Sequence, residues 1–109
     1  MGVHFVFDDM DDSVAGFDWD DGNAGKCQKH GVTIEAIEKL FRSSSLRAEP
    51  DIANSIGETR FRAVGRTEEG RAIFVVFTLR VRGTANLIRP ISARYMHKKE
   101  IDAHEKEIP

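Results

Sequence analysis

The chain has 109 residues and a mass of 12.2 kDa, enough for one domain with a single modest core. Hydrophobic residues make up 40% and charged residues 31%, which excludes a disordered chain, and no apolar run approaches the ~20 residues that a membrane-spanning helix needs. The net charge of -2 hides a segregation: residues 1–25 hold seven Asp and no Lys or Arg, whereas residues 58–99 hold ten Lys or Arg against three Glu.

The opening MGVHFVF runs straight into Asp8-Asp9, without the basic start and small-residue cleavage site of a signal peptide. One cysteine excludes an internal disulfide, so a cytoplasmic, reduced protein is expected. Residues 1–16 read as an acidic lead-in that breaks at Gly16, ahead of a single domain over residues 17–109. Phe17-Asp18-Trp19-Asp20 alternates aromatic with acidic side chains, as a short first strand does. Asp20 or Asp21 caps a helix over residues 22–30, weakened by Gly22 and Gly25 and stopped by Gly31.

Thr33 caps a second helix over residues 34–43, whose stripe is Ile34, Ile37, Leu40 and Phe41, with Val32 and Ile37 spaced as a hydrophobic staple. Residues 43–57, with three consecutive serines, Pro50 and Gly57, read as an irregular crossing. Three strands follow. Residues 58–66 alternate Thr59, Phe61 and Ala63 against Arg60, Arg62 and Arg66; residues 71–82 are apolar on both faces in their middle, as in a central strand; residues 85–94 contain Pro90, which predicts an edge or a bulge. Residues 96–107 form a final helix carrying His97, Ile101, His104 and Ile108 on one face. The order is β-α-α-β-β-β-α: an α+β domain with an antiparallel sheet packed against helices.

Cys27 precedes His30 by three residues, within helical reach, but no third group orients such a pair, and a small buried helix residue is the simpler reading. His97, Glu100 and His104 share a helical face without the further Cys/His pair of a metal site, and a packing face explains them. What remains is a set of cations: Lys29-His30 at a helix end, Arg60 and Arg62 on one strand face, Arg80 and Arg82 continuing a face of the central strand, and Arg94 ending the third. If these faces coincide, the sheet presents a basic surface suited to phosphate, with Tyr95 and His97 beside it to stack on bases or move protons. The alternative is that the arginines are salt-bridged to the acidic lead-in or to Glu58.

The runs FDWDDGNAGKCQKHGVTIEAIEKLF, ETRFRAVGRTEEGRAIFVVFTLRVRG and LIRPISARYMHKKEIDAHEK together resemble the BrnT family of bacterial toxins, over about residues 17–106. The shared marks are the Phe/Trp-Asp start, Lys29-His30-Gly31, Arg60, Gly65-Arg66, Gly70-Arg71 and Ile91-Ser92-Ala93-Arg94. The resemblance implies a RelE-like ribonuclease fold, metal-free RNA cleavage with no cofactor, and neutralisation by a BrnA-like ribbon-helix-helix antitoxin through which alone operator DNA is bound. The acidic segment 1–16 departs from the family's usual start; a mis-set start codon, a tag of extra sequence and an internal electrostatic cover for the site are the alternatives. On this reading Arg60 and Arg94 stabilise the phosphate in the transition state with Lys29 in support. His30 is the general acid/base, with His97 or Tyr95 in reserve, and Arg62, Arg80 and Lys98 position the backbone. A non-catalytic module that binds RNA or antitoxin through the same face is the alternative.

Overall fold

The computed structural model describes residues 14–107, with side chains through residue 103. Strands β1 (Val14–Phe17), β2 (Arg47–Pro50), β3 (Arg60–Arg66), β4 (Ala72–Arg82) and β5 (Ala85–Tyr95) form one sheet in the order β1-β5-β4-β3-β2. Helices α1 (Asp21–Gln28) and α2 (Ile34–Phe41) lie between β1 and β2 in the chain, a short 3-10 turn spans Ile52–Asn54, and α3 (Lys98–Glu107) closes it. Strands β2 to β5 make an antiparallel meander, and β1 joins its edge in parallel with β5, so the sheet is mixed. No helix among the described residues is long and apolar enough to cross a membrane.

Two elements differ from expectation. The first strand ends at Phe17 instead of spanning residues 17–20, and its first three residues come from the segment read as lead-in; residues 1–13 of that segment lie outside the described residues. The reason is local. The Asp20 carboxylate accepts from the Asn23 backbone N–H while the Asn23 side chain accepts from the Asp20 N–H, a capping box that draws the chain off the ladder after the Asp18 N–H makes its last bond to the Ile88 carbonyl. The second difference is β2, which falls inside the stretch read as irregular. Arg-Ala-Glu-Pro has little strand propensity of its own; pairing with β3 makes it a strand, Ala48 is buried, and Pro50 ends it at the sheet edge.

The helices behave as their caps dictate. The Thr33 hydroxyl accepts from the Ala36 N–H at 3.1 Å, and both staple residues, Val32 and Ile37, are fully buried. Gly31 supplies a positive φ of 89°, where its N–H bonds the Gln28 carbonyl to stop α1. Helices α1 and α2 cover one sheet face: Cys27, Val32, Ile37, Leu40 and Phe41 pack on Ala63, Ile73, Val75, Phe77, Ile88 and Ala93. At Gly65 the helix comes so close that an added Cβ would lie 2.7 Å from Leu40 Cδ1.

The feature that decides the opposite face is in β5. Val76 pairs with Ser92 but Phe77 pairs with Pro90, so Ile91 is an extra residue, a bulge of the kind that the proline predicted. Asn23 fastens the bulge to α1: its Nδ2 donates 2.8 Å to the Pro90 carbonyl and 2.9 Å to the Asp18 carbonyl. Asn23 thus uses both donors and its oxygen, and is itself buried. Asn23→Ala leaves two carbonyls without donors and removes half the capping box, and should cost about 3 kcal/mol. The check is a urea unfolding midpoint that falls with an unchanged slope; a midpoint equal to wild type would show that the bulge needs no such clip.

Candidate functional site

Strand parity places the arginines. Residues paired directly across an antiparallel ladder point to the same face. In β4 the odd residues Ile73, Val75 and Phe77 enter the core, so the even ones face away from α1 and α2. Arg60 pairs with Thr78, Arg62 with Val76 and Arg66 with Ala72 on β3, which puts Arg60, Arg62 and Arg66 on that second face together with Arg80 and Arg82. On β5, Arg94 pairs with Phe74 and Arg89 with Thr78. Arg89 and Arg94 are five residues apart and would lie on opposite faces of a regular strand; the extra Ile91 brings both to the arginine face.

Most of these cations already hold a carboxylate. Arg62 binds Glu49 through Nε at 2.7 Å, Arg80 Nη2 binds Glu58 at 3.0 Å, and Arg82 Nη2 binds Asp18 at 3.1 Å. Arg89, only 18% exposed, reaches Asp18 at 3.5 Å and Asp20 at 2.9 Å. The alternative read from the sequence is therefore realised for Arg80 with Glu58, and the acidic stretch after residue 17 supplies the partners of Arg82 and Arg89. Arg60 differs: among the described residues its guanidinium makes no hydrogen bond or ion pair.

Arg94 is held hardest. Its Nη1 and Nη2 donate 2.8 and 2.7 Å to the two oxygens of Glu100, a fork-on-fork pair, and its guanidinium lies 5.0 Å from the Phe74 ring centroid. The same Glu100 Oε1 accepts from the His97 backbone N–H at 3.0 Å, so one carboxylate caps α3 and orients Arg94. Hydrogen bonds from Arg94 and His97 hold the Glu100 carboxyl down to about 2, too acidic to accept a proton at neutral pH. The Arg94 guanidinium is correspondingly pushed up by Glu100.

The remaining candidates separate by layer. Lys29 and His30 end α1 in the helical layer, both exposed, with no hydrogen bond or ion pair to these arginines among the described residues. Tyr95 pairs with Ile73 on the core side, and the Arg71 guanidinium stacks 3.5 Å from its ring centroid. His97 is the histidine beside the Arg94–Glu100 pair, and Lys98 begins the helix that follows. Glu100 is committed to Arg94, and the His104 side chain lies outside the described residues. Cys27 is fully buried with its thiol pushed up to about 11 by that burial, the opposite of an activated nucleophile. Sequence reasoning missed Glu100 as the partner of Arg94 and Asn23 as the clip; the Glu three residues after the helix-capping position was the available signal for the first.

Because Glu100 binds its proton less tightly in the fold than in the unfolded chain, whose carboxyl titrates near 4.5, its contribution is complete above that value and is lost as the pH falls toward 2. The protection of the residue 98–103 amides, measured by NMR as exchange relative to the intrinsic rate at each pH, should fall through that window in wild type. Glu100→Gln should exchange faster at neutral pH and lack the acid step. Identical profiles would mean that the pair does not hold the helix.

No curated protein matches the chain. The family model for the ribonuclease toxin BrnT, of type II toxin-antitoxin systems, matches residues 19–100, from Trp19 through β5 to the Glu100 that grips Arg94. That span takes in α1, α2, every arginine of the basic face and the bulge that assembles it, and the chain belongs to the BrnT family of type II ribonuclease toxins.

Proposed function

We propose that this toxin cleaves RNA without a metal on its arginine face, that cleavage in the cytoplasm arrests growth, and that a BrnA-like ribbon-helix-helix antitoxin neutralises it. The observation that supports this reading is the gathering of Arg60, Arg62, Arg80, Arg89 and Arg94 on one sheet face, the first three by strand alternation and the last two by the β5 bulge. In the reaction the RNA 2′-oxygen loses its proton and attacks phosphorus. The P–O5′ bond breaks and the 5′-oxygen takes up a proton, leaving a 2′,3′-cyclic phosphate and a 5′-hydroxyl. Arg60 and Arg94 meet the charge on the pentavalent phosphorus, which is the service a metal would otherwise give, and Arg62, Arg80 and Lys98 hold the flanking backbone. Proximity to Arg94 favours His97 as the proton-transfer group, with Lys29 and His30 meeting RNA beyond the reacting phosphate.

A second reading, a non-catalytic module binding RNA or antitoxin, is favoured by the carboxylates already seated on Arg62, Arg80 and Arg94. The two are separated by incubating antitoxin-free protein with RNA in excess EDTA. Cleavage should proceed, and Arg60→Ala and Arg94→Ala should each lose roughly a hundredfold in rate while staying folded. His97→Ala should flatten the pH-rate profile where His30→Ala keeps its shape. Intact RNA would decide for the binding module, and rescue by added Mg²⁺ or Zn²⁺ after EDTA inactivation would refute the metal-free route.

An antitoxin that covers this face should present carboxylates around Arg60, Arg80 and Arg94. Its on-rate should then fall steeply with salt and with Arg80→Glu, while its off-rate changes little with salt. Association kinetics at several ionic strengths test this; an on-rate indifferent to both would place the antitoxin elsewhere.

A further inference from the structure

Among the described residues, two polar groups on the arginine face are sealed from solvent without a hydrogen-bond partner: the Thr78 hydroxyl and the Arg80 Nε. Thr78 is 2% exposed and sits at the middle of the face, paired with Arg60 on one side and Arg89 on the other. Arg80 follows two residues later on the same face of β4. An orphaned buried donor is costly, and two of them beside an arginine that has no partner among the described residues form an arrangement the fold does not need for stability. Arg80 uses only half of one guanidinium edge: Nη2 holds Glu58, while the adjacent Nε–H has no acceptor.

We propose that Thr78 Oγ, Arg80 Nε and the Arg60 guanidinium form a single oxyanion cradle that takes one non-bridging phosphate oxygen pair of the RNA backbone, with Thr78 as a binding residue of the site. This rests on the reading of the face as an RNA site and adds to it the groups that seat the phosphate. Both atoms are enclosed in the resting fold, so the phosphate reaches them as the exposed Arg80–Glu58 pair opens and it takes the place of Glu58; the hydroxyl and the Nε–H then gain an acceptor, and Arg60 supplies the compensating charge. A hydroxyl in this place also explains why a buried position in the central strand, flanked by arginines, carries Thr and not the isosteric Val.

The test uses the full-length, antitoxin-free protein, a 2′-O-methyl RNA that cannot be cleaved, and inorganic phosphate. Thr78→Val keeps the volume and β-branching and removes only the hydroxyl, so its melting temperature without ligand should equal or exceed that of wild type. Its affinity for the RNA should nevertheless fall roughly tenfold to a hundredfold, the range of a lost hydrogen bond to a charged group. Phosphate should raise the melting temperature of wild type more than that of the variant. Thr78→Ser, which keeps the hydroxyl, should restore both. If Arg60→Ala and Arg94→Ala weaken RNA binding but Thr78→Val binds RNA and phosphate as wild type does, the face stands and the cradle is refuted. If those two arginine variants bind RNA as tightly as wild type, the reading of the face falls and the cradle with it.

Discussion

The arrangement of this molecule depends on a residue that does not fit the ladder. Pro90 has no N–H to donate, β5 accommodates it by taking in the extra Ile91, and the Asn23 amide binds the carbonyl left at the irregularity. That single hydrogen-bonded clip joins the exit of β1 and the start of α1 to the middle of β5, 67 residues away in sequence. It also sets the parity of the strand. With the bulge, Ile88 and Ala93 both enter the core and Arg89 and Arg94 both leave it, although each pair is five residues apart. In β5, the core residues and the basic residues are therefore two results of one irregularity.

The carboxylates on the basic face have different structural weights. Glu49 and Glu58 reach Arg62 and Arg80 from exposed neighbouring segments, and such pairs in water are individually weak. They keep long side chains extended across the sheet at little energetic cost and can be exchanged for another anion. Asp18 and Asp20 hold the more enclosed Arg89 at the sheet edge, where Asp20 also caps α1, so Arg89 belongs to the scaffold more than to the surface. Glu100 stands between these extremes, since it serves the helix and Arg94 together.

Elements with a strong local signal were legible in the sequence. Thr33 with its staple, Gly31 as a helix stop, and the two long strands rich in β-branched and aromatic residues correspond closely to what forms. The parts that were hidden depend on partners far along the chain. Arg-Ala-Glu-Pro becomes a strand only because β3 lies beside it, and Trp19-Asp20 leave the ladder because the Asp20 side chain is engaged by Asn23. The basic face could be read strand by strand from alternation, whereas its extension to Arg89 required knowing which residue of β5 was the extra one. That Lys29 and His30 lie in the helical layer follows from which face α1 covers, and alternation along strands carries no information about that choice.

The lone thiol gives the molecule a built-in clock. Cys27 lies at the centre of the contact between α1 and the sheet, fully enclosed and with its thiolate form suppressed at neutral pH. An alkylating reagent can meet it only when α1 lifts away or the whole domain opens, so the rate of labelling reports the frequency of that opening. Since α1 also carries Asn23, the same rate registers the loosening of the clip that holds the bulge, and with it the transient loss of the arginine face.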